Sequence, residues 1–198
     1  MAPSPRLEAR DLARIAIFAA IIVVLGVAGQ IPLPTGVPVT LQTLGVMLAG
    51  VVLGPVRGAA AVLVVLLLAA VGLPVLTGGS GGLGVFVGPT AGYLVGWVPG
   101  VVMTGLIARA GLDRVVWWRS LIGSIVGGIL VVYAFGVPGT AIVTDTPLLP
   151  TAGASLIFLP GDLVKAVLAT VISAALWRAY PPAFALPAVR RPRATADA

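Results

Sequence analysis

Asp162 and Lys165 stand three residues apart in Leu159-Pro160-Gly161-Asp162-Leu163-Val164-Lys165-Ala166, and Lys165 is the only lysine in 198 residues. On a helix, residues at that spacing share a face. The lysine offers three donors and a positive charge, suited to a ligand carboxylate, and the aspartate accepts from ligand N–H groups. A plainer reading is a helix start. Pro160 opens the helix, Asp162 favours its positive end, and Lys165 pairs with Asp162. An exposed pair of that kind contributes only a few tenths of a kcal/mol. Placing a lysine deep in lipid costs roughly 2.5–3.5 kcal/mol. A cap does not call for that expense, so the pattern favours a ligand role, with an amine left uncompensated until an anionic guest arrives.

Other polar groups gather near the same kind of position. Gln42 and Thr43 open an apolar run, after a stretch stiffened by Pro32, Pro34 and Pro38. Thr77 to Thr90 is rich in glycine, and in Ser80-Gly81-Gly82 exposed backbone amides could meet a polar ligand directly. The Gly-Lys-Ser/Thr ending of a phosphate loop is missing, so nucleotide binding by that route is not expected. Leu83, Val85, Phe86 and Val87 argue against a mere flexible linker, which has no need to bury them. Tyr93 and Trp97 are spaced i, i+4 and share a helix face. The chain has no cysteine and no histidine. No disulfide, no thiolate chemistry and no common metal ligand is expected, and no catalytic set assembles. The reading is of a binding protein without cofactor, not an enzyme.

These groups must be positioned by membrane helices. The chain is 59% hydrophobic and 9% charged, with mean hydropathy +1.14, whereas soluble domains carry roughly 25% charged residues. Hydropathy predicts an all-α integral membrane protein with six transmembrane helices, near 12–30, 41–55, 58–74, 90–109, 119–137 and 160–179. The net charge of +6 does not mark a nucleic-acid binder, because the arginines fall in short blocks between apolar runs. Arg6, Arg10 and Arg14 precede the first span, and Arg57 lies between the second and third. Arg109, Arg114 and Arg119 lie between the fourth and fifth, and Arg178, Arg190, Arg191 and Arg193 follow the sixth. The connections 31–40, 75–89 and 138–159 hold no Lys or Arg. The positive-inside rule then places both termini inside. Trp117, Trp118 and Trp177 fall near the inner interface. The first apolar run lacks a clean A-x-A cleavage site and is read as a retained helix. Residues 1–180 form the membrane domain, and 181–198, rich in Pro, Ala and Arg, read as a disordered cytoplasmic tail.

Small residues recur at i, i+4: Gly50 with Gly54, Gly92 with Gly96 and Gly100, and Gly123 with Gly127. This spacing lets helix backbones approach closely. Ala16 and Ala20 repeat it on the first helix, where a partner-facing role is open. No nucleotide motif is present, so a transporter of this kind would draw energy from elsewhere.

Four motifs in order resemble the BioY family, biotin-binding S components of energy-coupling-factor (ECF) transporters. They are Val37-Pro38-Val39-Thr40-Leu41-Gln42-Thr43-Leu44-Gly45-Val46-Met47-Leu48-Ala49-Gly50, then Gly72-Leu73-Pro74-Val75 with Gly78-Gly79-Ser80-Gly81-Gly82-Leu83-Gly84, then Gly88-Pro89-Thr90-Ala91-Gly92-Tyr93-Leu94, and last Phe158-Leu159-Pro160-Gly161-Asp162-Leu163-Val164-Lys165-Ala166. The resemblance implies six membrane helices around an outward-facing biotin pocket. It implies Lys165 on the valerate carboxylate, Asp162 on the ureido N–H groups, and Ser80, Gly81, Gly82 and Tyr93 around the bicyclic head. It further implies a membrane coupling subunit, docked at Ala16 and Ala20, and two ATPase subunits. The stretch 137–156 departs from the family pattern, which leaves the contacts of the outer connection 138–159 open. The rival readings are an S component for another small carboxylated vitamin and a structural membrane subunit. The sequence leaves homo-oligomerisation open.

Overall fold

Gly54 and Pro55 reverse the chain within its most apolar stretch. A computed structural model describes residues 9–27, 30–31, 39–109 and 114–184. Arg6, Arg190, Arg191, Arg193 and the prolines of 32–38 lie outside the described residues. Helix α1 is Ala9–Val27, followed by a two-residue antiparallel ladder of β1 (Gln30–Ile31) and β2 (Val39–Thr40). Helix α2, Gln42–Ala70, contains Gly54 at φ 80° and ψ −176°, a conformation essentially restricted to glycine. Pro55 follows, as at a first helical position. A Cβ placed on Gly58 would stand 3.0 Å from the Ala49 carbonyl. In a straight helix nine residues rise about 13 Å, so the two arms of α2 fold back on each other.

Helix α3 is Ala91–Arg109, α4 is Trp117–Val143 and α5 is Leu148–Ala179. The last three and α2 are long and apolar enough to cross a membrane by length and composition. Helix α1 carries Arg10, Asp11 and Arg14 in its first two turns and has 19 residues. Within α4, Val126–Val131 winds as a π-helix, and in α5 Leu156–Phe158 tightens to a 3-10 turn. Both helices run further than the hydropathy spans predict. The expected outer connection 138–159 is mostly helical, and only 144–147 between α4 and α5 is not. Gly136, Pro138, Gly139, Pro150 and Gly153, residue types that disfavour helix interiors, all lie inside these helices. Within spans, local adjustment and neighbouring groups satisfy the backbone that such residues free.

The glycines at four-residue spacing bring α3 against α4. A Cβ on Gly96 would lie 3.0 Å from the Val132 carbonyl oxygen, and one on Gly100 would lie 2.8 Å from that of Gly127. One on Gly123 would lie 2.8 Å from the Thr104 carbonyl oxygen. These neighbours are backbone and cannot yield, so the interfaces admit no side chain. Ala16 and Ala20, by contrast, are exposed on α1, alongside Leu12, Ile17 and Val24. The structure therefore separates small residues that pack the bundle from a pair that faces outward.

The described arginines collect at one end of the bundle. Arg57 engages buried Asp11 through both Nε and Nη2, each at 2.9 Å, and Arg14 reaches the same carboxylate at 3.2 Å. This ties the first turns of α1 to the turn of α2. Arg14 also donates to the Pro182 carbonyl at 2.6 Å, and Arg109 lies over the Phe184 ring. Phe184 is buried edge-on against Trp177. Pro181–Phe184, expected to begin a disordered tail, is thus folded onto the bundle, while 185–198 lie outside the described residues. Trp117 and Trp118 are exposed at the same end.

Replacing Gly54 with Ala should cost about 1–3 kcal/mol through backbone strain alone, since open space surrounds the missing Cβ. Thermal unfolding in detergent is expected to show a lower midpoint. An unchanged midpoint would mean the turn does not depend on this conformation.

Candidate functional site

At the end of the bundle away from the arginines, the starts of α2 and α3, the middle of α4 and α5 and the 75–90 connection enclose a cavity of about 330 Å³. Ligand pockets commonly fall between about 300 and 1,000 Å³. Its apolar walls are Leu76, Val85, Leu94, Trp97, Val132 and Phe158. Its polar groups are Thr40, Gln42, Thr43, Thr77, Ser80 and Thr90, with Tyr93, Tyr133, Asp162 and Lys165. Among the described residues lining it, Asp162 and Lys165 are the only charged ones.

The helical spacing of α5 holds those two on one face, and both are buried, at 5% and 6% exposure. Lys165 Nζ lies 2.8 Å from Asp162 Oδ1 and donates to Thr43 Oγ1 at 3.2 Å. Thr43 in turn donates to Asp162 Oδ1 at 3.4 Å, and the Tyr133 hydroxyl donates to Oδ2 at 2.5 Å. The sequence suggested an amine without a counter-charge. The structure corrects this: the ammonium is compensated by Asp162. The pair is also not the exposed helix-start pair of the plainer reading, because it is buried and faces the cavity. An ammonium has three donors and a carboxylate about four acceptor sites. The contacts above leave one Lys165 N–H and one Asp162 lone pair for a ligand.

Gln42 is held from two sides. Its amide donates to the Val75 carbonyl at 3.0 Å and accepts from Thr77 Oγ1 at 3.0 Å. It thereby ties the start of α2 to the 75–90 connection. Gly26 of α1 packs so closely that any Cβ there would overlap the Gln42 side chain. Ser80 lines the mouth and donates to the Thr77 carbonyl at 2.8 Å. Tyr93 meets Tyr133 edge to face at 5.9 Å, and its hydroxyl lies 3.2 Å from Ser155 Oγ.

The cavity thus brings together Lys165, Asp162, Ser80, Tyr93, Gln42 and Thr43 from the residues singled out in sequence. Gly81 and Gly82 stand beside it without lining it. Gly81 packs against the Leu73 carbonyl, where a Cβ would overlap, and the Gly82 amide donates to the Ala69 carbonyl at 2.7 Å. Val85 and Phe86 pack on the core, as expected of a segment that is no linker, but Leu83 and Val87 are 73% exposed. Tyr133, Thr77, Thr90 and Phe158 are lining residues that sequence reasoning missed. A tyrosine within an apolar span was the available signal for the first of these.

The chain matches the model of the BioY family over residues 1–182. It is 51% identical over 174 residues to the biotin transporter BioY of Rhodobacter capsulatus, covering 83% of this chain and 91% of that protein. It is 47% identical over 183 residues to the biotin transporter BioY of Rhizobium etli, covering 88% and 97%. Among solved structures it resembles the S-component for biotin from an ECF-type ABC transporter, with TM-score 0.79 and 34% identity over 89% of this chain and 95% of that one. A family match across nearly the whole chain, relatives of near-equal length and a shared fold all agree: this protein belongs to the BioY family.

Proposed function

We propose that this membrane protein captures biotin at the outer face of the cell membrane and serves as the substrate-specific subunit of an ECF-type transporter. The observation that carries this reading is the buried Asp162–Lys165 pair facing an otherwise largely apolar cavity in a chain whose relatives are named biotin transporters. In this reading α1, the two arms of α2, α3, α4 and α5 make six crossings with both termini inside, and the arginine-rich end faces the cytoplasm. A membrane coupling subunit and two ATPases supply the energy. The coupling subunit docks on α1, where exposed Ala16 and Ala20 allow close helix approach.

The pairing supports a different contact for Lys165 from the carboxylate contact implied by the family resemblance. A charge already compensated attracts a free carboxylate weakly. One spare donor beside one spare acceptor instead complements the adjacent C=O and N–H of a ureido edge. In this arrangement the bicyclic ring lies among Trp97, Val132 and Phe158, near Tyr93. The valerate runs toward Thr77, Ser80 and the glycine-rich 78–82 segment. Gly81 and Gly82 act there by holding that segment in place.

Calorimetric titration of the purified protein with biotin and biotinamide tests this. Tight binding of both, each weakened at least about tenfold by Lys165→Ala, is the expected result. Biotinamide binding far more weakly than biotin would return Lys165 to the carboxylate. Binding of another vitamin in place of biotin would change the substrate, and no binding of any vitamin would leave a structural subunit.

Ala16→Trp or Ala20→Trp should abolish uptake in cells while biotin affinity of the purified protein stays within about twofold, since side chains there face away from the bundle. An equal fall in affinity would assign these alanines to the bundle.

A further inference from the structure

The π-helical turn in α4 has a consequence for ligand choice. Each residue of an α-helix advances the side-chain direction by about 100°. A widened turn takes up an extra residue, so every side chain beyond it is displaced around the helix relative to an uninterrupted α-helix. The segment Val126–Val131 is π-helical and Tyr133 follows two residues later. Such segments recur at functional sites. Here the surroundings leave little freedom. Cβ atoms on Gly127 and Gly128 would run into Thr104 and into Met47, so the wide turn is pressed between α3 and α2. Tyr133 is thereby aimed into the cavity, where its hydroxyl meets Asp162 Oδ2. The Tyr93 ring, backed by Gly136, packs against it edge to face.

We propose that Tyr133 is a specificity-determining residue: its hydroxyl occupies Asp162 Oδ2 and leaves the carboxylate a single acceptor direction for the ligand. This rests on the ureido contact proposed above. With Oδ2 taken by Tyr133, and Oδ1 shared between Lys165 and Thr43, the pair accepts one N–H and donates one. That matches a neutral ureido edge. A cationic guanidino edge brings extra donors and a positive charge. It finds only the one remaining acceptor for its several donors and meets the Lys165 ammonium. Tyr133 therefore works by exclusion as much as by positioning, since specificity is a difference between two affinities.

The probe is 2-iminobiotin, in which NH replaces the ureido oxygen and the ring is protonated at neutral pH. Titrating wild type and Tyr133→Phe with biotin and with 2-iminobiotin gives a ratio of dissociation constants for each protein. The phenylalanine keeps the ring contact with Tyr93 and removes only the hydroxyl. The ratio is expected to move at least about tenfold toward 2-iminobiotin in the variant, because a freed carboxylate oxygen makes a charge-assisted bond. Equal weakening of both ligands would mean the hydroxyl only stiffens the site, and unchanged affinities would mean it does nothing; either overturns the proposal. Those failures require wild type to bind biotin. If wild type itself does not bind biotin, the functional reading falls, and this proposal with it.

Discussion

A lysine and an aspartate buried together in an apolar bundle constrain nearly everything around them. Taking two charges out of water costs several kcal/mol each, and their mutual attraction offsets this only with good geometry and further hydrogen bonds. Both conditions are met from outside α5. Thr43 of α2 and Tyr133 of α4 add hydrogen bonds to Asp162, and Thr43 also receives Lys165. Three helices must therefore arrive in register before the pair can be buried. The pair is also unfinished, with one donor and one acceptor unspent at the cavity.

That register depends on small residues. Gly96, Gly100, Gly123 and Gly127 let the backbones of α3 and α4 touch, because lipid offers little hydrophobic drive for helices to associate. At the opposite end, Asp11 gathers Arg57 and Arg14, and Arg14 reaches Pro182, so both terminal segments are fastened beside the α2 turn. The molecule is thus clamped by charge at the arginine end and left concave at the other. The exposed alanines of α1 belong to neither system.

Much of the site was legible because polar residues in an apolar chain are conspicuous. Asp162, Lys165, Gln42, Thr43, Ser80 and Tyr93 all line one cavity, although they come from three helices and a connection. Tyr133 escaped notice because its direction is set by a π-turn that no local pattern announces. Gly81 and Gly82 looked like ligand-facing amides, yet their close neighbours are Leu73 and Ala69. The stretch 138–159 read as a connection between spans, yet it is mostly helical, because neighbouring groups in the bundle can satisfy the backbone that its prolines and glycines free.

The sequence by itself determined that this chain carries membrane-spanning helices, that its arginines fall in blocks between apolar runs, and that Lys165 stands apart from them. Hydropathy and charge order are properties summed along the chain, so no folding is needed to read them. Only the tertiary structure decided that Lys165 is compensated, that α2 doubles back on itself, and that Tyr133 meets Asp162. Those outcomes hang on contacts between residues as many as 122 positions apart. Helix packing fixes such distances, and packing follows from which backbones can approach.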